Sequence, residues 1–321
     1  MKAASLTSAA CAAALLFFAA PPSRAHDPHE HHHGAAAVQE APPPQPAPAF
    51  NRWGADYFPN TTLVTQDGKP VRFYDDLLKG KKVAINVIYT SCKDECPLET
   101  ARLAQLAQLL GERMGRDIFF YSISIDPDTD TPQVLKAYAA KFGIGPGWLF
   151  LTGTKEDIRA VTKKIGLSRY SDSANKDGHT ASLMVGDVDA GQWMRNSAVD
   201  DPQFLAAQMG TFLGWRDLEH GKTYAQAQPL KVGQGEYLFG SRCGACHTIG
   251  QGDRMGPDLA GVTRRREHAW LARYLAEPEK VREEGDPIAA SLSQKYTGAN
   301  MPNLRLGSAD VAAILTYLKD R

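Results

Sequence analysis

The chain is poor in cysteine and carries no excess charge of either sign. It contains 5 cysteines in 321 residues, too few for the dense disulfide framework of a small secreted domain. Its 36 basic and 36 acidic side chains give a formal net charge of +0, which argues against a nucleic-acid-binding surface. The Ala-rich apolar run near the N-terminus is shorter than the roughly 18–20 residues that span a bilayer. The length suits two ordinary domains.

Residues 1–25 have the composition of a secretory signal peptide. Lys2 precedes the apolar run, and Ala25 ends a Ser-Arg-Ala segment that signal peptidase can read. We expect cleavage after Ala25 and export to the periplasm, whereas an uncleaved signal would associate the protein with the membrane. Cys11 lies inside the removed run, so the remaining cysteines form two close pairs. In an exported protein such pairs need a metal, a cofactor or a reducing supply to stay out of disulfides.

Residues 26–50 are expected to form a disordered arm, His-rich in its first part and rich in Pro and Ala in its second. This composition lacks the apolar side chains that build a core. The clustered imidazoles would make a weak metal-collecting segment, and the alternative is a solvated low-complexity tail. The histidines concerned are His26, His29, His31, His32 and His33.

The first cysteine pair lies where a strand is expected to turn into a helix. Residues 83–88 are apolar and β-branched, which suits a buried strand, and Pro97 fits the first position of a helix. Cys92 and Cys96 lie between them. The helix dipole favours the thiolate at such a place, and two thiols there can close a disulfide or hold a soft metal. A disulfide across so short a loop stabilises little, which favours a functional pair.

Strands alternate with helices around this turn, which indicates a mixed α/β sheet covered on both faces. The segment around Gly68 predicts a hairpin turn. Residues 148–151 are expected at an edge of the sheet, and Asp201 is expected to open a helix that ends near Leu213. Further strands are expected at residues 118–125, 181–185 and 192–195, and further helices at 133–142 and 154–165.

Three separated motifs carry a family resemblance. The segments YTSCKDECPLET, SIDPDTDTPQVLKAYAAKFG and DGHTASLMV resemble the Sco/SenC copper-assembly proteins, a branch of the thioredoxin-like fold. The resemblance implies an α/β thioredoxin-like domain over residues 51–214 in which Cys92, Cys96 and His179 are the copper ligands. Two thiolates and an imidazole suit Cu(I) and also allow Cu(II). The chain departs from the family at Gly178, just before the histidine, which bears on copper affinity.

A second domain is expected at residues 229–321, after a short polar linker at 215–228. It contains Cys243, Cys246 and His247 in the C-x-x-C-H arrangement that attaches c-type haem. Two thiols on one helical turn add to the two porphyrin vinyl groups, and the adjacent imidazole becomes the proximal iron ligand. A chance pairing or a thioredoxin-type redox turn is the weaker alternative.

Around this motif lie the segments GEYLFGSRCGACH, MGPDLAGV and NMPNLRLGSADVAAILTYL, which resemble class I cytochromes c. The resemblance implies an all-α domain in which Met301 is the distal iron ligand and the carbonyl of Pro257 orients the proximal imidazole. Met255 and His268 compete for the distal role, but the first is expected to pack or to lie at the surface, and the second to be exposed. A Met/His pair raises the haem potential. Ser308 is expected to cap the last helix.

Three functions remain open for this fusion. The favoured one is a metallochaperone for the dinuclear copper (CuA) centre of cytochrome c oxidase, in which haem c gives one-electron control of the copper or the thiols. Its partners would be the copper-bearing oxidase subunit and periplasmic redox carriers. The second is a thiol–disulfide oxidoreductase with Cys92 and Cys96 as redox thiols. Of the three functions, only this one would make the protein an enzyme. The third is a plain electron carrier that the first domain docks on a partner.

Overall fold

The computed structural model describes residues 53–93, 95–167, 181–215, 232–319 and 321. The expected signal peptide, the expected arm, His179 and residues 216–228 of the expected linker lie outside them. No helix within the described ranges is both long and apolar enough to cross a membrane. Residues Phe50–Arg321 form one compact unit. Its described residues up to 215 are called here the α/β domain, and those from 232 onward the helical domain.

A seven-stranded mixed sheet forms the α/β domain. Its strands are β1 (Thr62–Thr65), β2 (Pro70–Arg72), β3 (Lys82–Ile88), β4 (Phe119–Ser124), β5 (Trp148–Thr152), β6 (Ser182–Asp187) and β7 (Gln192–Ser197). The spatial order is β2-β1-β5-β4-β3-β6-β7. β4 pairs in parallel with β3 and with β5, and the other pairs are antiparallel. Gly68 turns the β1–β2 hairpin with a positive φ of 77°, as predicted.

One strand lies elsewhere in the sheet than the sequence suggests. The expectation of an edge at residues 148–151 is wrong, because β5 lies inside the sheet between β1 and β4. Val64 and Thr65 of β1 pair with Thr152 and Leu151 of β5. The N-terminal hairpin therefore covers an edge that would otherwise present unpaired backbone groups. Its pairing partner is distant in sequence, so local pattern does not reveal it.

Four helices flank the sheet: α1 (Glu95–Leu110), α2 (Pro132–Lys141), α3 (Lys155–Lys164) and α4 (Pro202–Phe212). Thr154 and Asp201 accept hydrogen bonds from backbone N–H groups of α3 and α4, so both predicted helix starts are confirmed. α1 begins at Glu95 rather than at Pro97, which puts Cys96 in its first turn. Leu103 and Leu106 of α1 join one apolar cluster of the sheet, whereas α3 joins the other.

Six helices make up the regular structure of residues 232–319. They are α5 (Gln234–Leu238), α6 (Val262–Arg265), α7 (His268–Ala276), α8 (Pro278–Glu283), α9 (Pro287–Lys295) and α10 (Ser308–Leu318). A π-helical turn over Phe239–Cys243 continues α5. Ile314 and Leu318 of α10 pack against Leu238 and Cys243, so the last helix lies on the C-x-x-C-H segment as predicted.

The start of α10 differs from the prediction. The cap is Gly307 rather than Ser308. The backbone N–H of Gly307 donates to Oδ2 of Asp310 over 3.2 Å, so a first-turn carboxylate accepts a backbone donor at the start of this helix. An acidic side chain at this end of a helix also lies at the positive end of the helix dipole.

Candidate functional site

The first cysteine pair lies between the end of β3 and the first turn of α1. The backbone N–H of Cys96 donates to Sγ of Cys92 over 3.4 Å, which brings the two residues together on one turn. Both carry thiols rather than a disulfide. Cys92 is 9% exposed and Cys96 is 0% exposed. An incoming ion or thiol therefore meets Cys92 first.

The thiol of Cys96 is held in its neutral form. Its hydrogen bond with Cys92, its burial and the nearby Glu99 carboxyl raise the pKa of Cys96 far above its ordinary value. The prediction of a favoured thiolate is therefore wrong for Cys96, because the hydrogen bond and the desolvation of the sulfur outweigh the helix dipole. A metal ion that binds both sulfurs must displace this proton. Metal binding at the turn is thus coupled to proton release.

Glu99 lies one helical turn after Cys96 and is only 1% exposed. Burial raises the pKa of Glu99 well above its ordinary range, and a hydrogen bond from Asn86 opposes this only in part. Nδ2 of Asn86 donates to Oε2 of Glu99 over 3.4 Å, and Oδ1 of Asn86 accepts from the hydroxyl of Ser122 over 2.7 Å. A neutral carboxyl that accepts a hydrogen bond from Asn86 therefore lies one helical turn from Cys96.

We expect Glu99→Gln to flatten the pH dependence of the stability of the α/β domain. Because the pKa of Glu99 is raised by folding, its contribution is complete below the unfolded pKa and is lost as the pH rises towards the folded pKa. The amide stays neutral and keeps an acceptor for Asn86. Between about pH 5 and pH 8 the variant should therefore lose less stability than the parent.

Urea unfolding of the copper-free protein at the two pH values measures this difference. The control is Glu156→Gln, which removes an exposed carboxylate from α3 of the same domain. An identical loss of stability in the parent and in Glu99→Gln would contradict the prediction.

Asp130 anchors the strand that leads into the dithiol turn. Its side chain is 0% exposed and its Oδ2 accepts from the backbone N–H of Thr90 over 3.1 Å. The hydroxyl of Thr90 donates to Oδ1, and the hydroxyl of Ser124 donates to Oδ2 over 2.6 Å. Thr90 lies two residues before Cys92, so Asp130 fixes where the turn begins. Sequence reasoning does not identify Asp130 as a functional residue. The only sequence signal for it is its position in an acidic segment that follows β4.

The third predicted copper ligand, His179, lies outside the described residues, as do the histidines of the arm. In the part of the chain that the structure describes, no three His, Cys, Asp or Glu side chains are grouped to hold a metal ion. To the predicted copper site, that part contributes two sulfur donors, Cys92 and Cys96. Two neighbouring sulfurs suit a soft ion such as Cu(I), so the described donors fit the expected copper.

The second cysteine pair lies at the end of the π-helical turn. The backbone N–H groups of Cys246 and His247 both donate to the carbonyl of Cys243, over 3.1 and 3.0 Å. The three residues therefore share one helical turn, as haem attachment requires. Burial raises the pKa of Cys243 to about 12 and the pKa of Cys246 to about 11. Both side chains are thus neutral thiols at physiological pH.

The imidazole of His247 is oriented by one backbone acceptor. Its Nδ1 lies 2.8 Å from the carbonyl oxygen of Pro257, and because a carbonyl only accepts, Nδ1 carries the proton. Burial lowers the pKa of His247, which keeps the ring neutral and leaves Nε2 to bind a metal. A Cβ at Gly256 would lie 2.5 Å from Cε1 of the ring. Glycine at this position therefore makes room for the imidazole.

Met301 and His247 line one cavity of the helical domain. Nη1 of Arg282 donates to the carbonyl of Met301 over 2.9 Å, which holds the backbone at this point. Met255, for which the sequence suggests a packing or surface role, is half-buried and lines the same cavity. His268 begins α7 and is exposed, as expected. Both methionines therefore line the cavity that contains His247, whereas His268 does not.

The residues of this cavity fit haem c. Two thiols, a neutral imidazole and thioether sulfurs are the donors that covalent attachment and axial ligation need. The rest of the lining is largely apolar, and it includes Leu259, Val262, Trp270, Leu271, Leu275 and Ile314. When bound, haem c supplies one-electron redox chemistry.

Comparison with known proteins identifies both domains. The model of the SCO1/SenC family matches residues 53–212, and that of the cytochrome c family matches residues 232–321. Protein SenC of Rhodobacter capsulatus is 30% identical over 156 residues, which cover 47% of this chain and 68% of SenC. The chain belongs to the SCO1/SenC family. Both resemblances, and the fold class of a thioredoxin-like domain followed by an all-α cytochrome c domain, are therefore confirmed.

Other relatives match shorter stretches of the present chain. A SCO2-like protein of Rickettsia felis is 37% identical over 102 residues, 32% of this chain and 47% of that protein. Another, of Rickettsia prowazekii, is 32% identical over 123 residues, 38% of this chain and 57% of that protein. The chain thus spans about half the length of these curated relatives.

Among solved structures, copper-bound ScoI of Bradyrhizobium japonicum is 27% identical, with a TM-score of 0.38 and coverage of 47% of this chain and 96% of ScoI. That structure of ScoI and a structure of yeast Sco1 hold copper. The cytochrome c domain of the present chain implies haem c, as the sequence predicts.

Proposed function

We propose that this protein is a periplasmic copper metallochaperone that delivers copper to the CuA centre of cytochrome c oxidase. The observation that carries the proposal is the dithiol turn, in which a partly reachable Cys92 lies against a buried Cys96 in a member of the SCO1/SenC family. Copper is the cargo, held by the two sulfurs and the imidazole of His179. The arm histidines would collect copper weakly before it reaches this site.

Protonation provides a physical route for release. The pKa of Cys96 is raised by its hydrogen bond with Cys92 and by burial, so a proton competes with copper for this sulfur. An acceptor that takes the metal leaves a neutral thiol behind instead of a buried anion. The receiving partner in this proposal is the copper-bearing oxidase subunit.

The helical domain would set the oxidation state of the copper or of the thiols. Cys243 and Cys246 would attach the haem, His247 and Met301 would ligate the iron, and the carbonyl of Pro257 orients the imidazole. A c-type haem exchanges one electron, as does the Cu(II)/Cu(I) couple, whereas a disulfide requires two. This match favours copper as the redox partner. Periplasmic redox carriers would supply or remove the electrons.

A thiol–disulfide oxidoreductase is the second candidate. It is favoured by the closeness of Cys92 and Cys96, since a mixed disulfide at Cys92 could be resolved by its neighbour. The raised pKa of Cys96 opposes it, because the thiolate is the attacking species. A plain electron carrier is the third candidate, and it requires neither Cys92 nor Cys96.

Copper retained per haem tests the proposal. The reduced protein, with the five arm histidines replaced by alanine, is loaded anaerobically with copper, desalted and analysed for copper and iron. We expect about one copper per haem in the parent and almost none in Cys92→Ser and His179→Ala. His268→Ala, which removes an exposed imidazole from the helical domain, is the matched control and should retain copper.

Each candidate predicts a different pattern. Absence of retained copper in the parent, with the haem intact and disulfide exchange abolished by Cys92→Ser, would establish the oxidoreductase. Normal oxidase assembly in cells that carry Cys92→Ser would leave only the electron carrier.

A further inference from the structure

The two domains touch on the sides that carry their sites. The backbone N–H of Asn300 donates to the carbonyl of Lys93 over 2.7 Å. Lys93 directly follows Cys92, and Asn300 directly precedes Met301. One hydrogen bond therefore joins the dithiol turn to the segment that carries the expected distal ligand.

A buried cation lies at the same junction. Arg102, on α1, is 2% exposed. Burial lowers the pKa of Arg102, and the groups near enough to act on it are Cys246, Asp201, Arg242 and Cys243. The Nε and Nη1 atoms of Arg102 are buried and have no hydrogen-bond partner among the described residues. A buried guanidinium with unsatisfied donors costs free energy unless a partner offsets it. The guanidinium is therefore buried within electrostatic range of the haem-attachment cysteines.

A second cation approaches the helical domain from α2. A Cβ built on Gly298 would lie 3.8 Å from Nζ of Lys141 and 3.4 Å from Cε of Met255. Met255 lines the haem cavity. The α/β domain therefore presents both Arg102 and Lys141 to the part of the helical domain that surrounds this cavity.

We propose that the dithiol face of the α/β domain is the docking surface for the haem-bearing face of the helical domain, and that Arg102 sets the haem reduction potential across this contact. The inference rests on the proposed function only in assigning haem to the cavity. A positive charge beside a haem stabilises the ferrous form over the ferric form, which carries one more positive charge. Docking thus raises the reduction potential of the haem and places the haem-bearing face beside the dithiol turn.

The haem midpoint potential of the full-length holoprotein tests the proposal. Spectroelectrochemistry is carried out on copper-free protein with reduced thiols. Arg102→Met should lower the potential, and Arg102→Lys, which keeps the charge, should lie between it and the parent. The control is Arg159→Met, which removes an exposed charge from α3 and should leave the potential unchanged. Equal potentials in Arg102→Met and Arg159→Met, or in Arg102→Met and Arg102→Lys, would overturn the assignment.

A second pair of variants decides the matter if Arg102→Met does not fold. Lys141→Gln and Lys136→Gln each remove an exposed charge from α2, but only Lys141 approaches the helical domain at Gly298. A lower potential in Lys141→Gln alone supports docking, and equal potentials in the two variants refute it.

The test separates this inference from the proposed function. The potentials are measured without copper, so a protein that retains no copper still reports on docking. A parent that retains copper while every charge variant keeps the parental potential would refute docking alone.

Discussion

Gly256→Ala should displace the proximal histidine from the haem iron while the haem stays covalently attached. A Cβ at this position would lie 2.5 Å from Cε1 and 2.9 Å from Nδ1 of His247, and real side chains do not approach so closely. Because Gly256 has no positive φ, alanine fits the backbone and the ring must move. The 2.8 Å contact between Nδ1 and the Pro257 carbonyl would then be lost.

The overcrowding should destabilise the helical domain by about 1–3 kcal/mol. Because the iron ligand moves, the ferric absorption spectrum should change from low spin towards high spin. Gly240→Ala is the matched control, since a Cβ at Gly240 meets nothing within 4 Å. A Gly256→Ala protein with the spectrum and thermal stability of Gly240→Ala would show that the imidazole does not depend on this glycine.

Asp130→Ala should release the dithiol turn. The carboxylate accepts the N–H of Thr90 at 3.1 Å, the Thr90 hydroxyl and the Ser124 hydroxyl at 2.6 Å. Removing it leaves the buried Ser124 hydroxyl and the half-buried donors of Thr90 unpaired, which should lower the free energy of unfolding by about 3 kcal/mol. Because Thr90 leads directly into the turn, the spacing of Cys92 and Cys96 should loosen and copper should bind more weakly.

Urea unfolding and copper competition with a Cu(I) chelator measure the two effects of Asp130→Ala. The control is Asp128→Ala, because Asp128 lies in the same loop but is exposed, with an ion pair to Lys155. A surface pair of this kind contributes only about 0–1 kcal/mol. If the two variants unfold at the same urea concentration, Asp130 does not anchor the turn.

Periodicity and turn chemistry are local properties, and they predicted most of the elements. The capping of α3 by Thr154 and of α4 by Asp201 follows from side chains within a few residues of each helix start. The place of β5 did not follow, because its neighbour β1 is far away in the chain. The prediction of the α10 cap was wrong because serine is a common cap residue and Ser308 follows Gly307 directly. In the structure the cap is Gly307, whose backbone N–H donates to Asp310.

The sequence by itself determined the chemistry of both sites. The spacing of Cys243, Cys246 and His247 demands one helical turn, and the pair Cys92 and Cys96 demands a strand-to-helix turn. Spacing along the chain fixes which donors can meet.

Only the tertiary structure decided the electrostatics around those donors. Burial depends on packing from distant segments, so the raised pKa of Cys96, with its hydrogen bond to Cys92, reversed the prediction drawn from the helix dipole alone. For the same reason Asp130 beneath the turn and Arg102 at the domain contact became visible only once remote parts of the chain were brought together.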